Sequence, residues 1–531
     1  MTSSTHLARA FVRQLMELGV TDFVLSPGSR NAPLSIALNQ AAEAGLIELH
    51  VRIDERGAAF FALGISKARN IHVAVICTSG TAAANFHPAA LEAHHNRNKL
   101  ILITADRPAS LRKSGANQTT EQFGLFPNIE SHDLANVIDL APLLREGPLH
   151  LNIQFEEPLL PLDQLDWLAG FSLRAVAAEQ PNQPTIELPE AGVLIVGHDR
   201  AGYRVDEILQ FANELGWPLI AEDPISFPTA IAHAAIFLAD ENTRALVTPG
   251  TVVVIGRTTL SRSINTYIQS AAETIAIDPR MADVDTARQA DRVLYSLPAL
   301  SKHAPEPTQW LALWHDIAKR CSQTISKNLE WSEQSAIRTI VSELPDGCAL
   351  FVGSSRPIRD IEGFATPRSG IDVYANRGLA GIDGNISTAM GVATRYQRTY
   401  AIMGDLTFLH DVSALVNLPN VNLTIFVIDN NGGGIFSTLP QDGVPGFERI
   451  FGTPHNNDVG RIARGFGLPA EKVKGASDLK TIIAHQSNGI EVVVVEVPDR
   501  ASNAAKLKET SQMVSSALRI GNNLDWLSAN S

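Results

Sequence analysis

Cysteine is scarce in this sequence, and positive charge is in deficit. The three cysteines, Cys77, Cys321 and Cys348, lie far apart and do not form the closely spaced pairs that bind zinc. An odd number of dispersed cysteines indicates reduced thiols, as is typical of cytosolic proteins. The formal net charge of -13 leaves no basic surplus to neutralise phosphate groups. We therefore expect neither nucleic acid nor an anionic membrane as a partner.

Long apolar runs are also missing. The longest, such as residues 421–428, are far shorter than the roughly 20 residues that a membrane-spanning helix requires. Residues 1–19 have an amphipathic pattern and lack the continuous apolar segment of a signal peptide. These features predict a soluble, cytoplasmic protein.

Short β-rich segments alternate with helical patterns along most of the 531 residues. Segments such as HVAVIC and NLTIFVI are almost uninterrupted apolar runs, which are typical of parallel strands covered by helices on both faces. Two proline-rich segments, 175–192 and 296–310, interrupt the alternation and indicate linkers. We predict an α/β protein of three doubly wound, parallel-sheet domains, with boundaries at 1–175, 190–300 and 325–531.

Polar residues and glycines follow two of the strands near the C-terminus. One strand ends at Gly404 and Asp405, and another ends at Asn430, which Gly432 and two further glycines follow. Ligands of open parallel sheets bind beyond the carboxyl ends of the strands. If the two strands are neighbours, a carboxylate, an amide oxygen and a backbone carbonyl converge there, a ligand set that suits Mg²⁺ with a diphosphate. Ordinary strand ends followed by polar turns are the alternative.

The segment GDLTFLHDVSALVNLPNVNLTIFVIDNNGGGIF resembles the cofactor-binding motif of thiamine-diphosphate enzymes. It departs from that motif at Leu406, where glycine is usual, and at the pair Asp429-Asn430, where two asparagines are usual. The resemblance implies thiamine diphosphate as cofactor, and Mg²⁺ or Mn²⁺ bound by Asp405, Asn430 and the carbonyl of Gly432. It also implies the three-domain fold of this family, with pyrimidine-binding, middle and diphosphate-binding domains.

Glu55 lies at a junction between a strand and a helix. The resemblance implies that its carboxyl group contacts the aminopyrimidine of the cofactor and promotes loss of the reactive proton. The alternative interpretation is that Glu55 is an ordinary acidic residue at a helix N-terminus, where the helix dipole favours negative charge. Family members place this glutamate and the diphosphate loop on different subunits. A homodimer or homotetramer with active sites at the subunit interface is therefore implied.

Further blocks resemble the carboligases of menaquinone biosynthesis within this family: SPGSRNAPL, GANQTTEQ, GSSRPIRD and NRGLAGIDGNISTAMG. Those enzymes decarboxylate 2-oxoglutarate and add the resulting acyl carbanion to isochorismate. Both substrates are dicarboxylates, which arginine binds well through its planar fork of donors. For any single arginine, a surface ion pair is the alternative. The resemblance implies substrate contacts at Ser29, Arg30, Arg107, Asn117, Gln118, Arg262, Arg359 and Arg377.

The same resemblance implies the residues that contact the cofactor and those that take part in the reaction. The implied cofactor contacts are Glu55, Ser355, Ile382, Gly404, Asp405, Leu406, Asn430, Gly432, Ile435, Phe436 and Leu439. The implied catalytic residues are Glu55, Asn117 and Gln118.

Three other functions fit parts of the sequence. Another thiamine-diphosphate decarboxylase or carboligase, such as acetolactate synthase, would share the cofactor motif. A nucleotide-binding dehydrogenase is suggested by GVLIVGHDRAG, although this segment lacks the G-x-G-x-x-G fingerprint. A non-catalytic thiamine-diphosphate sensor is the third possibility, and the joint presence of Glu55, Asp405 and Asn430 argues against it.

Overall fold

Three parallel sheets with helices on their faces organise the protein. The computed structural model describes residues 3–173, 183–280, 290–301, 308–485 and 488–520. The three large sheets occupy residues 22–154, 192–294 and 348–496, and every strand pairing within them is parallel. The predicted class, an α/β protein with three parallel-sheet domains, is confirmed.

The N-terminal sheet has six strands in the order β2-β1-β3-β4-β6-β5. Its central strands β3 and β4 are buried along their whole length, because helices cover both faces and leave no position for a polar side chain in contact with water. The elements are β1 Asp22–Leu25, β2 Glu48–Val51, β3 Val73–Cys77, β4 Leu100–Asp106, β5 Glu130–Leu134, β6 Leu149–Gln154, α1 Ser4–Glu17, α2 Ala32–Glu43, α3 Glu55–Arg69, α4 Thr81–Asn85 and α5 His87–Asn96.

The middle sheet has five strands in the order β12-β11-β10-β8-β9, and a short pair, β7 and β13, stands beside it. The strand order reverses direction between β8 and β10, which is the doubly wound topology. The elements are β7 Thr185–Ile186, β8 Gly192–Val196, β9 Leu219–Ala221, β10 Thr251–Ile255, β11 Glu273–Ile277, β12 Arg292–Leu294, β13 Ala299–Leu300, α6 Val205–Leu215, α7 Ala234–Phe237, α8 Glu241–Leu246 and α9 Arg262–Gln269.

The C-terminal sheet has six strands in the order β15-β14-β16-β17-β19-β18. The strands are β14 Cys348–Val352, β15 Ile371–Tyr374, β16 Thr399–Gly404, β17 Leu423–Asp429, β18 Ala470–Val473 and β19 Ile490–Glu496. The helices are α10 Gln309–Asn328, α11 Glu333–Glu343, α12 Arg356–Phe364, α13 Asn385–Ala393, α14 Asp405–His410, α15 Val459–Gly465, α16 Ala476–Ala484 and α17 Arg500–Ile520.

The N-terminal and C-terminal domains meet where α3 crosses α13. Both helices carry a glycine at the crossing, and the Cα atoms of Gly64 and Gly391 approach closely. A Cβ atom added to Gly64 would lie 2.2 Å from the carbonyl oxygen of Thr388, and one added to Gly391 would lie 2.1 Å from that of Phe61. Glycine is required at both positions because the two backbones are in direct contact.

The predicted domain boundaries all fall outside the residue ranges of the three large sheets. Residue 175 lies outside the described residues, as do residues 521–531, so the boundary at 175 has no structural description. The boundaries at 190, 300 and 325 stay a prediction. Among the described helices, none combines the length and the apolar character needed to cross a bilayer.

Candidate active site

The two polar strand ends predicted near the C-terminus lie side by side. Strands β16 and β17 pair in parallel, with Gly404 opposite Ile428, so that Asp405 and Asn430 emerge at the same edge of the sheet. Asp405 is buried and begins α14. Its carboxylate accepts hydrogen bonds from the backbone N–H of Leu406 at 2.6 Å and of Gly432 at 2.8 Å. The strand pairing therefore brings the glycine turn at residues 432–434 to the predicted metal ligands.

A cavity of about 360 Å³ opens at this edge. Its walls come from the loops that follow β14, β15, β16 and β17, as expected for a ligand site at the carboxyl ends of parallel strands. The predicted residues that line it are Ser355, Arg359, Arg377, Ile382, Gly404, Asp405, Leu406, Asn430, Gly432, Ile435, Phe436 and Leu439.

The polar atoms at the base of the cavity suit a divalent cation with a diphosphate. The side-chain oxygen of Asn430 is buried and has no hydrogen-bond partner among the residues that the structure describes. Gly432 has φ of +137°, and a Cβ atom there would lie 2.1 Å from the carbonyl oxygen of Gly452. The carbonyl of Gly432 accepts one hydrogen bond, from Gly434, which leaves its second lone pair free. A buried acceptor without a donor is costly, and a bound cation would satisfy it.

Two residues near Asp405 were not predicted from the sequence. The imidazole Nε2 of His455 lies 3.2 Å from the Asp405 carboxylate, and this contact raises the pKa of His455. Burial, together with nearby Asp405, raises the pKa of Asp429. Ligand atoms of Asp405, Asp429 and His455 all lie within 4.8 Å of one another. His455 is in a loop 50 residues beyond Asp405, and no local pattern in the sequence indicates this contact.

Glu333 is a further unpredicted residue of the cavity wall. It begins α11 and is buried, and its carboxylate accepts a hydrogen bond from the side-chain nitrogen of Asn430. That bond turns the amide so that its oxygen is the atom left without a partner. Burial raises the pKa of Glu333, nearby Asp360 raises it further, and Arg356 opposes both effects. The amide of Asn430 is therefore oriented by a residue that lies almost 100 positions earlier in the chain.

Arg359 and Arg377 bring positive charge to the opposite wall. In the described part of the chain, neither guanidinium forms an ion pair within 4.0 Å. Arg359 donates to the carbonyl oxygen of Ser355 at 2.8 Å, and Nη1 of Arg377 is buried with no hydrogen-bond partner among the described residues. Burial lowers the pKa of both guanidinium groups. Two desolvated cations with donors to spare favour an anionic ligand such as a carboxylate.

Arg262 does not join this group. It begins α9 in the middle domain, its side chain is exposed, and it is absent from the residues that line the cavity. Thr259 of the middle domain does contact the side chain of Arg377, and its hydroxyl accepts from Nη2 of Arg377 at 2.9 Å. The start of α9 carries Arg262 toward solvent, whereas the preceding loop carries Thr259 inward. The expectation that Arg262 contacts substrate stays a prediction.

A second group of predicted residues lies along the carboxyl edge of the N-terminal sheet. Arg107 follows β4 and donates to the hydroxyl of Ser79 at 2.9 Å and to the carbonyl of Gln118 at 2.7 Å. Arg30 follows β1 and donates to the carbonyl of Phe155 at 3.1 Å. Burial and the nearby charge of Arg107 lower the pKa of Arg30. Two cations are thus held close together beside the turn that contains Gln118.

Asn117, Gln118 and Ser29 are exposed on this edge. Gln118 has φ of +51°, a left-handed conformation that side chains other than glycine seldom adopt, and it packs against Gly80. Such strained residues are frequent at functional sites. The structure therefore brings Arg30, Arg107 and Gln118 into one neighbourhood.

Glu55 starts α3 on the same edge. Asp54, which precedes it, caps the helix by accepting from the backbone N–H of Arg56 at 3.1 Å, so Glu55 is left as the first residue of the helix. Glu55 is half-buried, and its charge contributes to the raised pKa of the buried Cys77 thiol, after the larger effect of burial. In the described residues, no hydrogen bond to its carboxylate is formed, which leaves both oxygens available to a ligand.

Within one chain, the residues that line the cavity are separate from the predicted residues at the carboxyl edge of the N-terminal sheet. The residues that line the cavity span 333–439, and within the described ranges none of them comes from the N-terminal domain. Glu55, Asn117, Gln118, Arg30 and Arg107 therefore stand outside it. Each domain carries part of the predicted site, and one chain does not join the parts.

The carboxyl edge of the middle sheet is closed. A Cβ atom on Gly197 would lie 2.2 Å from the carbonyl oxygen of Arg257, and one on Gly256 would lie 1.9 Å from that of Asp199. Arg280 pairs with Asp199 at 2.5 Å and also with Asp278. This is the switch point where a doubly wound sheet would hold a dinucleotide. Backbone fills the crevice, so the structure does not favour the dehydrogenase alternative.

Comparison with known proteins covers nearly the whole chain. The N-terminal TPP binding domain of thiamine pyrophosphate enzymes matches residues 5–125, the middle domain of thiamine pyrophosphate enzymes matches 172–352, and the C-terminal TPP binding domain matches 358–497. Several curated relatives carry the name 2-succinyl-5-enolpyruvyl-6-hydroxy-3-cyclohexene-1-carboxylate synthase. The protein of this name from Thermobifida fusca is 38% identical over 98% of this chain and 100% of its own length.

Two further relatives of the same name agree. The protein from Nocardioides sp. is 38% identical over 96% of this chain and 97% of its own length. The protein from Bacillus cytotoxicus is 33% identical over 88% of this chain and 89% of its own length.

Proposed function

Because the chain belongs to the 2-succinyl-5-enolpyruvyl-6-hydroxy-3-cyclohexene-1-carboxylate synthase family of thiamine pyrophosphate enzymes, we propose that it decarboxylates 2-oxoglutarate and joins the remaining acyl unit to isochorismate. The products are CO₂ and the cyclohexene carboxylate of the family name, an intermediate of menaquinone biosynthesis. The observation that carries the proposal is the cavity in which Asp405 and Asn430 face Arg359 and Arg377. The relatives' shared name favours this reaction over that of acetolactate synthase.

The residues at the base of the cavity suit the cofactor. Asp405, Asn430 and the carbonyl of Gly432 would hold Mg²⁺ or Mn²⁺, and the bound cation would in turn hold the diphosphate. Ile382, Ile435, Phe436 and Leu439 would contact its rings. When bound, thiamine diphosphate supplies the electron sink that decarboxylation of a 2-oxo acid requires.

The remaining residues bind and orient the substrates. Arg359 and Arg377 would bind the carboxylates of 2-oxoglutarate, because both line the cavity and, among the described residues, neither guanidinium forms an ion pair within 4.0 Å. Ser355 lies next to them on the cavity wall. Holding two reactants in register supplies much of the rate acceleration in a ligation.

The carboxyl edge of the N-terminal sheet, called the N-terminal edge below, would supply the groups that act on the aminopyrimidine and on the acceptor. Glu55 would hold a proton at its carboxylate beside the aminopyrimidine, and Gln118 with Asn117 would face the reacting centre. Arg30, Arg107 and Ser29 would contact the acceptor.

A second copy of the chain is proposed to bring the N-terminal edge to the cavity. Large apolar side chains are exposed next to both groups: Val51 and Ile53, at 48% and 60% exposure, precede Glu55, and Leu379, at 54%, lies between Arg377 and Ile382. Exposed apolar surface of this kind marks an interaction site. A two-fold dimer would place Glu55 of one subunit in the cavity of the other and would form two equivalent sites. A tetramer could contain the same pair.

Release of CO₂ tests the reaction. Purified protein is supplied with thiamine diphosphate, Mg²⁺ and 2-oxoglutarate, and CO₂ is measured with and without isochorismate. We expect slow release alone, and faster release together with the adduct when isochorismate is present. No CO₂ from 2-oxoglutarate, or release from pyruvate with an acetolactate product, would contradict the proposed substrates.

Subunit complementation tests the shared site. E55Q and D405A are each expected to be inactive, but in a mixed dimer the Glu55 of one subunit meets the Asp405 of the other. If subunits exchange freely, half of the dimers are mixed and one of their two sites is intact, so the mixture should regain about a quarter of wild-type activity. No recovery, with exchange verified by differently tagged subunits, would show that both residues act within one chain.

A further inference from the structure

The loop that carries Arg377 forms several of its hydrogen bonds with other domains. It follows the edge strand β15, where residues 375–379 have no regular structure of their own. Buried backbone groups require partners, and neither a helix nor a strand supplies them here. Side chains from the N-terminal and middle domains bond to the loop instead. The position of Arg377 is therefore not determined by its own domain alone.

Glu92 of the N-terminal domain is the most complete of these partners. It lies on α5, is 3% exposed, and accepts from the backbone N–H of Gly378 at 2.7 Å and of Leu379 at 2.7 Å. The contact is so close that a Cβ atom on Gly378 would lie 2.4 Å from the Glu92 carbonyl oxygen. Lys67 of α3 lies 3.8 Å from the Glu92 carboxylate and donates to the carbonyl of Ala375 at 3.1 Å. One carboxylate thus fixes both amides that follow Arg377.

The middle domain contacts the same loop from its other side. Arg257 donates through Nη2 to the carbonyl oxygen of Arg377 at 2.7 Å and to that of Gly378 at 3.2 Å. The hydroxyl of Thr259 accepts from Nε of the Arg377 guanidinium at 3.2 Å and from its Nη2 at 2.9 Å. Within the described part of the chain, these bonds leave Nη1 of Arg377 buried and without a hydrogen-bond partner.

We propose that Glu92 and Thr259 are positioning residues for substrate, which hold Arg377 so that its free Nη1 meets a carboxylate of 2-oxoglutarate. The inference rests on the proposed function, since it assumes that a dicarboxylate binds at Arg377. Glu92 acts on the backbone of the loop and Thr259 acts on the side chain. Both act through Arg377 and neither lines the cavity together with it.

The substitution E92Q tests the first residue with little change in shape. The amide keeps one acceptor oxygen, but it presents an NH₂ group to the second backbone N–H, so one of the two bonds is lost and a donor faces a donor. Displacement of a binding group by a fraction of an ångström weakens the ligand contact, and we expect the kcat/KM for 2-oxoglutarate to fall roughly 10- to 100-fold. The loss should lie in KM, while the KM for isochorismate and the Kd for thiamine diphosphate stay at wild-type values.

Binding without turnover provides a second readout. Glutarate lacks only the 2-oxo group, so its calorimetric Kd for the protein loaded with thiamine diphosphate and Mg²⁺ reports the carboxylate contact directly. E92Q should weaken glutarate binding, and in an R377A background it should weaken it no further, because residues that act through one another are not additive. Additive effects, or loss of cofactor affinity in step with glutarate affinity, would overturn the positioning role.

N417A is the matched control. Asn417 also forms a hydrogen bond between the N-terminal and C-terminal domains, donating to the carbonyl of Val51 at 2.7 Å, but away from Arg377. If loosened domain packing were the cause, N417A would weaken glutarate binding as E92Q does, and that result would overturn the proposal. If E92Q does not fold, T259A carries the test, with the same expected signature and with recovery in T259S.

The two proposals fail in different ways. If wild-type protein binds glutarate but releases no CO₂ from 2-oxoglutarate, the proposed reaction is wrong and the positioning role is still measured by glutarate binding. If wild-type protein is active and both E92Q and T259A match it, the positioning role alone is wrong. If wild-type protein releases CO₂ from 2-oxoglutarate but binds no glutarate, the positioning role is overturned and the proposed reaction stands.

Discussion

The carboxyl edges of the middle and C-terminal sheets are built on the same plan and are used differently. Both belong to parallel sheets covered by helices, and in both a glycine-containing loop follows the strands at the place where such sheets bind ligands. In the middle sheet, Gly197 and Gly256 admit the backbone of the opposite loop, and Arg280 with two aspartates locks the contact. In the C-terminal sheet, the glycines from 432 to 434 border a cavity.

The difference shows that a glycine after a strand does not by itself indicate a ligand. Its missing side chain allows close approach, and what approaches is decided by the loops around it. In the middle domain the approaching group is another part of the chain, and the closed edge holds Arg377 through Arg257 and Thr259. In the C-terminal domain the unpaired oxygen of Asn430 and the unpaired donor of Arg377 leave room for a cofactor and a substrate.

The substitution D405A should have the largest effect. It should act only on the open edge, which is the carboxyl edge of the C-terminal sheet, where the cavity lies. It removes a direct ligand of the proposed metal, so Mn²⁺ affinity should fall by more than about 100-fold, since even residues behind the ligands affect metal affinity by 10- to 100-fold. Electron paramagnetic resonance of Mn²⁺ with thiamine diphosphate measures it. Retained Mn²⁺ affinity would show that the open edge is not a metal site.

The substitution R280M tests the closed edge. Arg280 is 9% exposed, and its removal takes the ion-pair partner from Asp278 and leaves Asp199 with the longer contact to Arg257 at 3.9 Å. Breaking a buried pair in this way should cost about 3–5 kcal/mol of stability, whereas Mn²⁺ affinity should not change. Urea unfolding of the holoprotein measures the first and resonance titration the second. A loss of under about 1 kcal/mol, the usual value of an exposed pair, would mean that the ion pairs do not close this edge.

Acid should weaken the contact between the middle domain and α12 without a direct effect on the cavity. His233 is buried, its Nδ1 donates to the carbonyl of Gly363 at 2.8 Å, and burial lowers its pKa to about 4. Between about pH 6.5 and 4, His233 binds a proton in the unfolded chain but not in the folded protein. The contribution of neutral His233 to the free energy of unfolding is therefore complete above pH 6.5 and is lost as the pH falls through that window. The expected loss is about 3 kcal/mol, from 1.36 kcal/mol for each pH unit of the pKa difference.

H233N isolates this effect. Asparagine keeps a donor near the position of Nδ1 and tolerates the left-handed backbone of this residue, which has φ of +62°. Burial also lowers the pKa of His150 to about 4, and because His150 is present in both proteins its contribution cancels in the comparison. The pH dependence of unfolding should be flatter in H233N than in wild type. Equal slopes would remove His233 from the acid response.

Two matched glycine substitutions should have smaller effects that separate the edges. G256A and G432A both place a Cβ atom near 2 Å from a carbonyl oxygen, at φ of +70° and +137°. Each should cost about 1–3 kcal/mol of local strain. We expect G256A to lower the melting temperature and G432A to lower the affinity for thiamine diphosphate. G202A, with φ of +86° and no atom within 4 Å, is the control for backbone conformation alone. If G256A lowered the affinity for thiamine diphosphate and G432A lowered the melting temperature instead, the two edges would not differ in use.

Local patterns in the sequence were sufficient for the fold class and the cofactor class. Apolar runs such as NLTIFVI predict buried parallel strands, and this prediction is confirmed by the pairing of β16 with β17. Thiamine diphosphate was implied by the resemblance of residues 404–436 to the cofactor-binding motif of its enzymes, and it is confirmed by the matching domain families. The roles of Glu55, Asn117 and Gln118 stay predictions. Short segments determine these features because strand periodicity and turn chemistry depend on near neighbours.

Only the tertiary structure decided which residues surround those segments. Glu333 orients Asn430, and His455 contacts Asp405. Glu92 holds the loop of Arg377 although it lies 286 positions before Gly378, the residue that it contacts. Arg262 and Thr259 are three residues apart, yet one faces solvent and the other faces Arg377. Such contacts depend on how helices and loops from different domains pack together, and packing across long separations leaves no periodic pattern in the sequence.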